Sequence, residues 1–268
     1  MTYNFFIPKR PGFLRCDNFR IVPLLALLFM FTQSLLTGKN TFAMGETSKF
    51  VFVQMEYSQG NWNTRPNAGK RLMWEVVKRT SIEARLDTTT IRPSDIRLFE
   101  YPFLYMSGDN EFPPFTEVEI NNLRLYLEFG GTLLIDDCIG KTDFGFDKSA
   151  RREVKRLFPN KALERLPAEH TIFKSFYLLN RAYGRIAEKS FLEGITLGDR
   201  TVIIYSQNDL GGAWSKDTLG NWEYEVTPGG ETQRNMAFRL GINIIMYALT
   251  GNYKQDQVHL PFILKRRM

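Results

Sequence analysis

Residues 130–140 read GGTLLIDDCIG, a glycine pair followed by a short apolar run that ends at two aspartates and a cysteine. A continuous apolar run without polar alternation is typical of a strand that is buried on both faces. The glycines suit the exit from a preceding helix, and the aspartates suit the loop that follows the strand. This stretch predicts a helix, a buried strand and a polar strand end, which is the repeating unit of an α/β fold.

The same alternation of strands and helices continues along the chain. Further runs of β-forming residues predict strands at 50–55, 82–86, 101–106 and 201–205. Helical spacing and helix start signals predict helices at about 67–79, 116–129, 147–158 and 231–250. Strands that alternate with helices indicate a mainly parallel, doubly wound sheet with helices on both faces.

The N-terminal segment differs in character from the rest of the chain. Four basic residues precede an apolar stretch at 21–36, and Ala43 is a small residue suited to a cleavage site. This order is typical of a secretory signal peptide, with an uncleaved membrane anchor as the alternative. We therefore predict a leader or anchor at 1–43, one α/β domain at 44–251 and a C-terminal tail at 252–268. The expected location is exported, periplasmic or otherwise extracytoplasmic, with membrane contact only through an uncleaved leader.

Charge and glycine placement argue against several classes of function. The chain has 35 basic and 29 acidic residues, a net charge of +6. Five of the basic residues and one acidic residue lie in the leader, which leaves 30 basic and 28 acidic residues and a net charge of +2. No basic stripe with interleaved aromatic residues remains, so nucleic acid is not an expected partner. The glycines match neither a dinucleotide fingerprint nor a phosphate-binding loop, so no cofactor is expected.

Parallel strands bring their carboxyl ends to one edge of the sheet, and ligands bind at that edge in open α/β folds. The loops predicted there are 56–65, 107–115, 136–147 and 206–216. Their candidate ligand contacts are Trp62, Asp109, Asp136, Asn208, Asp209 and Trp214. Amide and carboxylate groups beside a flat indole suit sugar hydroxyls, although asparagine and aspartate are also common turn formers. The expected partner is a small polar ligand, such as a carbohydrate, or an envelope protein.

Three residues are candidates for catalysis. Cys138 follows a strand end, Asp137 precedes it, and His170 is the one imidazole that the central domain offers to a Cys–His or Asp–His mechanism. Each has a structural alternative: a buried inert thiol, a loop-capping carboxylate and a histidine at a helix start. Neighbouring aspartates raise the pKa of a thiol, which disfavours a nucleophilic Cys138. Successive aspartates point to opposite sides of a strand, so we predict capping and no metal site.

Six blocks of sequence together resemble a bacterial family known as domain of unknown function 4159, over roughly residues 50–250. The blocks are YPFLY at 101–105, GG at 130–131, DDC at 136–138, RLFP at 156–159, EHTIFKSFY at 169–177 and YSQNDLG at 205–211. The resemblance implies a class I glutamine-amidotransferase-like fold, near the trehalose-utilisation-like branch, and no established activity. It also leaves an alternative function open: a hydrolase or amidotransferase-like enzyme in which His170 activates Cys138 or Asp137.

Overall fold

The computed structural model describes residues 49–250. The predicted leader at 1–43 and the predicted tail at 252–268 lie outside the described residues. Between residues 49 and 250, no helix is both long enough and apolar enough to cross a bilayer. The apolar run at 240–249 lies in the last described helix, where most of its large side chains are buried, as expected for a core helix.

Residues 49–250 form one seven-stranded sheet. Its strands are β1 (Val53–Met55), β2 (Thr89–Ile91), β3 (Phe103–Gly108), β4 (Thr132–Asp137), β5 (Glu164–Arg165), β6 (Glu193–Leu197) and β7 (Arg200–Ser206). The strand order is β2-β1-β3-β4-β7-β6-β5. The first five strands in that order are parallel, whereas β6 is antiparallel to β7 and β5 is antiparallel to β6. The prediction of an α/β fold with a mainly parallel sheet is confirmed.

Helices flank this sheet. They are α1 (Ala68–Arg79), α2 (Glu117–Glu128), α3 (Phe146–Leu157), α4 (Leu210–Trp214) and α5 (Gly230–Thr250), and there are short 3₁₀ helices at Ile96–Glu100 and Thr171–Lys174. The predicted start of α2 is confirmed as a capping box. Thr116 Oγ1 accepts the Glu119 backbone N–H at 3.3 Å, and Glu119 Oε2 accepts the Thr116 backbone N–H at 2.8 Å.

The two faces of the sheet carry separate apolar clusters. Along β3, Phe103 and Tyr105 join one cluster, whereas Leu104 and Met106 join the other, because successive side chains of a strand point to opposite faces. Buried residues of α1, α4 and α5 belong to the first cluster, and those of α2 and α3 belong to the second. Both faces are therefore covered, which explains why the central strands read as continuous apolar runs.

Two parts of the sheet differ from the sequence-based expectation. Residues 82–86 form no strand; they contribute a single bridge between Ala84 and Phe50, and the strand at this edge is β2. Arg85 and Leu86 are exposed, so this segment buries too little surface to form a longer strand. The antiparallel β6 was not predicted, although Gly198 and the following residue form a two-residue hairpin turn before β7.

Candidate functional site

Four loops meet at the carboxyl edge of the parallel strands. The Tyr57 hydroxyl donates to the Ser107 carbonyl at 2.9 Å, which joins the loop after β1 to the end of β3. The backbone N–H of Cys138 donates to the Gly108 carbonyl at 3.0 Å, which joins the β3 and β4 ends. The backbone N–H of Asp209 donates to the Asp137 carbonyl at 3.2 Å, which brings in the loop after β7. The loops after β1, β3, β4 and β7 therefore lie together at one edge of the sheet, as the sequence predicted. The hydrogen bonding and burial of their polar side chains determine whether a ligand can bind there.

Asp136 turns inward from this edge and joins it to α4. Its Oδ1 accepts the Leu210 backbone N–H at 2.9 Å, and its Oδ2 accepts the Gly211 backbone N–H and the Tyr105 hydroxyl, each at 2.8 Å. The carboxyl group is completely buried. Burial, followed by the nearby charge of Asp209, raises the pKa of Asp136 to about 7. This side chain anchors the start of α4, and each of its oxygens already accepts a hydrogen bond from the protein.

The raised pKa of Asp136 predicts a specific pH dependence of stability. Between its ordinary value of 3.8 and about 7, the folded chain retains a proton that the unfolded chain has released. The corresponding stabilisation is complete below pH 3.8 and is lost as the pH rises to about 7. The relevant quantity is the free energy of unfolding of the wild type minus that of Asp136→Asn. We expect this difference to fall by roughly 2 to 4 kcal/mol between pH 4 and pH 8. Urea unfolding of both proteins at the two pH values measures this difference, and an unchanged difference would contradict the assignment.

Asp209 is the anionic centre of the edge and is paired with two arginines. Arg65 donates from Nε to Oδ1 at 3.0 Å and from Nη2 to Oδ2 at 2.8 Å, and Arg185 Nε also donates to Oδ2. Asp209 Oδ1 additionally accepts the Gly212 backbone N–H at 2.9 Å, which caps α4. The Asp209 side chain is fully buried, so these donors replace its lost hydration. Neither arginine was identified from the sequence; the only signal was the general need of a buried carboxylate for a cation.

Asp137 caps the loop that follows β4. Its Oδ1 accepts the Ile139 backbone N–H at 2.9 Å, and its Oδ2 accepts the Gly140 backbone N–H at 3.1 Å. Burial is the largest cause that raises its pKa to about 6, while the two backbone donors act in the opposite direction. This geometry matches the capping alternative considered above, because both oxygens of Asp137 accept backbone N–H groups of its own loop.

Cys138 lies in the interior beside Thr64. Its Sγ is 3.2 Å from Thr64 Oγ1, and the residue has no exposed surface. Burial, followed by the charges of Asp209 and Asp136, raises the pKa of the thiol. A thiol in such surroundings stays protonated and is a poor nucleophile. These surroundings disfavour the catalytic role considered for Cys138.

One group of potential metal ligands occurs among the described residues. Atoms of Asp136, Cys138 and Asp209 lie within 4.8 Å of one another. Each carboxylate oxygen in this group already accepts at least one hydrogen bond from the protein, and Arg65 and Arg185 place positive charge on Asp209. A divalent cation would have to displace these donors, so the arrangement suits a structural polar network better than a metal centre.

His170 lies at the other end of the sheet. Its Nδ1 accepts the Ile172 backbone N–H at 3.2 Å, so Nε2 carries the proton and donates to Thr201 Oγ1 at 2.9 Å. Ser206, at the other end of β7, is the strand partner of Asp136. Thr201 lies five residues before Ser206, so the His170 contact is roughly 16 Å along β7 from the carboxyl edge. Burial lowers the pKa of His170, which keeps the ring neutral. The structure does not assemble the Cys–His or Asp–His pair considered from the sequence.

Two of the predicted ligand contacts are sealed inside the fold. Asn208 Oδ1 accepts the Lys189 backbone N–H at 2.9 Å, and its Nδ2 donates to the Lys189 carbonyl at 2.7 Å. Trp214 is fully buried, and its Nε1 donates to the Ala237 carbonyl of α5 at 3.1 Å. With Asp136 and Asp209, these residues do not line an open pocket, because each of them completes the packing or the hydrogen bonding of the interior.

Trp62 and Asp109 are the predicted contacts that remain partly accessible. Asn61 Nδ2 donates to Asp109 Oδ2 at 3.0 Å, whereas Asp109 Oδ1 is shielded from solvent and has no hydrogen-bond partner among the described residues. The Trp62 carbonyl accepts from Gln54 Nε2 at 2.9 Å, which holds the loop against β1. The accessible part of the edge is therefore the side formed by the loops after β1 and β3.

These observations define an α/β protein with a mostly parallel sheet and a sealed polar network at its carboxyl edge. A family model described as "Domain of unknown function (DUF4159)" matches residues 51–249. The chain belongs to this family, as the six sequence blocks indicated. No curated protein matches the chain.

Proposed function

We propose that this domain is a non-catalytic, exported protein that binds a small polar ligand, such as a carbohydrate, at the carboxyl edge of the sheet. The observation that supports the proposal is the unsatisfied Asp109 Oδ1. A shielded carboxylate oxygen without a donor costs free energy, and a ligand hydroxyl would supply the missing hydrogen bond. Non-catalytic binding is favoured because Cys138 follows the carboxyl end of β4, whereas His170 contacts Thr201 near the start of the neighbouring β7.

The surroundings of Asp109 suit a ligand that carries several hydroxyl groups. Asn61 is exposed and offers an amide beside the carboxylate, and the partly exposed Trp62 offers an indole. We propose that a small outward shift of the neighbouring loop at 58–63 admits a ligand hydroxyl to Oδ1, and that Asn61 and Trp62 of this loop then contact the rest of the ligand. An amide, a carboxylate and an aromatic face together are the usual means of orienting a polar ligand in a pocket.

A thermal-shift experiment tests this proposal. We expect one or more members of a panel of neutral mono- and disaccharides to raise the Tm of the wild type by about 5 °C or more at saturating concentration. Asp109→Ala should lose this shift, because the ligand hydroxyl loses its acceptor. Glu111→Ala is the control, since Glu111 is exposed and close in sequence, and it should keep the shift. A shift that persists in Asp109→Ala would contradict the proposed contact.

A protein partner is the second candidate at the same edge. Ile139 and Phe144 belong to the loop after β4 and have 37% and 58% of their surface exposed. Exposed apolar side chains beside polar groups are typical of interface anchors. A saccharide panel that leaves the Tm of the wild type unchanged would favour this candidate.

We also propose kinship with the class I glutamine-amidotransferase-like fold. The proposal is supported by the five parallel strands in the order β2-β1-β3-β4-β7 and by a cysteine directly after the central β4. The related enzyme function, a hydrolase or amidotransferase, receives no support from the buried Cys138 and the distant His170. The proposed export rests on the basic and apolar pattern of residues 1–43 alone.

A further inference from the structure

An open cleft of about 370 Å³ lies between α1 and the loop that follows α4. Its lining includes Lys70, Arg71, Trp74, Lys216 and Asp217. The cleft is separate from the Asp109 side of the edge and shares none of its residues. Its volume lies within the range of roughly 300 to 1,000 Å³ that is usual for small-molecule sites.

The charges around this cleft are predominantly positive. Within the described residues, neither Lys70 nor Lys216 forms an ion pair with a carboxylate; the Lys216 ammonium lies 4.1 Å from the ring centre of Trp222. The one acidic lining residue, Asp217, directs its carboxylate into its own turn. It accepts the backbone N–H groups of Leu219 and Asn221 at 2.9 and 2.7 Å. Two ammonium groups are therefore available to an anionic ligand.

Arg71 adds a third positive group whose hydrogen bonding is incomplete. Its Nη2 donates to Glu75, but its Nε has no acceptor among the described residues. The guanidinium stacks on Trp74, with Cζ 4.1 Å from the ring centre. Glu75 pairs with both Arg71 and Arg79, so these three side chains together keep one net positive charge beside the cleft.

Trp74 contributes an indole to the cleft, and its ring is also contacted by Arg71 and by Lys78, whose Nζ lies 4.6 Å from the ring centre. The residue is 39% exposed although it is a large aromatic side chain on a helix that packs against the sheet. We propose that the cleft binds an acidic saccharide, whose carboxylate pairs with Lys70 and Lys216 and whose ring packs against Trp74. A simple anion would use the ammonium groups but not the indole, so the two kinds of ligand can be separated by experiment.

Isothermal titration calorimetry with the full chain tests the proposal. Trigalacturonate is the acidic probe, maltotriose the neutral probe and inorganic phosphate the simple anion. We expect saturable binding of trigalacturonate that weakens in 0.5 M salt, because the ion pairs are partly exposed to solvent. Maltotriose and phosphate should bind at least tenfold more weakly than trigalacturonate.

Matched variants assign the binding to this cleft. Lys70→Gln/Lys216→Gln should weaken trigalacturonate binding at least tenfold, and Trp74→Ala should weaken it as well. Lys141→Gln/Lys161→Gln changes the net charge equally at positions outside the cleft and should bind as the wild type does. The proposal is overturned by an absence of binding to the wild type, by equal losses in the two double variants, by unchanged binding in Trp74→Ala, or by phosphate binding as tightly as trigalacturonate. These variants leave Asp109 unchanged, so the result is independent of the neutral-ligand proposal.

Discussion

Replacing Asp209 by alanine should lower the free energy of unfolding by about 3 to 5 kcal/mol. The substitution removes the shared acceptor of Arg65 and Arg185, whose side chains are only 13% and 25% exposed. It also removes the cap at Gly212 and places alanine at a left-handed φ of 52°, which alanine adopts poorly. Urea denaturation followed by circular dichroism measures the loss.

Two further variants separate the causes of this loss. Asp209→Asn keeps the shape and tolerates the left-handed backbone, so it should lose about 2 kcal/mol through the missing charge and the poorly matched amide. Glu111→Ala breaks the Glu111–Lys148 pair, in which each side chain is 58% exposed, and should change stability by less than about 1 kcal/mol. A loss at Asp209 as small as that at Glu111 would show that the network does not stabilise the fold.

Trp214→Ala should lower the free energy of unfolding by about 3 to 5 kcal/mol. Trp214 has no exposed surface, packs beside Tyr105 with ring centres 6.2 Å apart, and donates to the Ala237 carbonyl at 3.1 Å. Its ring lies so close to Gly241 that a Cβ there would approach Cζ2 to 2.6 Å, so α5 is fitted closely around it. Alanine would leave a cavity between α1, α4 and α5.

Trp74→Ala is the matched control for this substitution. It removes the same side chain from a position that is 39% exposed, so it should cost about 1 kcal/mol or less. Thermal unfolding of the two variants under one set of conditions gives the comparison. Similar losses of unfolding free energy at both positions would contradict the assignment of Trp214 to the core. Saccharide binding that depends directly on Trp214 would instead support its predicted role as a ligand contact.

The features that the sequence predicted correctly are set by residues that lie close together along the chain. Thr116 and Glu119 are three positions apart, so the capping box was visible as a local pattern. The buried β4 followed from one apolar run, and the carboxyl edge followed from the rule that parallel strands point the same way. Local signals therefore sufficed for most of the architecture and for the location of the edge.

The state of that edge depended on contacts between distant parts of the chain. Arg65 is 144 positions from Asp209, and Arg185 is 24 positions away. No local pattern tells whether a polar strand end contacts solvent or a guanidinium, so the sequence could not show that Asp209 is buried and paired with two arginines. The distance between His170 and the carboxyl edge could not be inferred for a related reason. The His170 segment contacts the start of β7, and the hairpin formed by β6 and β7 was not predicted.

The placement of α5 has a consequence for how the chain acquires its structure. This helix supplies a large part of the first apolar cluster and covers α1 and α4, yet it is the last element along residues 49–250. A nascent polypeptide that has been synthesised only as far as residue 229 lacks the partner for those surfaces. We therefore expect cooperative folding to wait until residues 230–250 are available, and a ribosome-bound intermediate that lacks them would expose an apolar surface of the kind that holding chaperones bind.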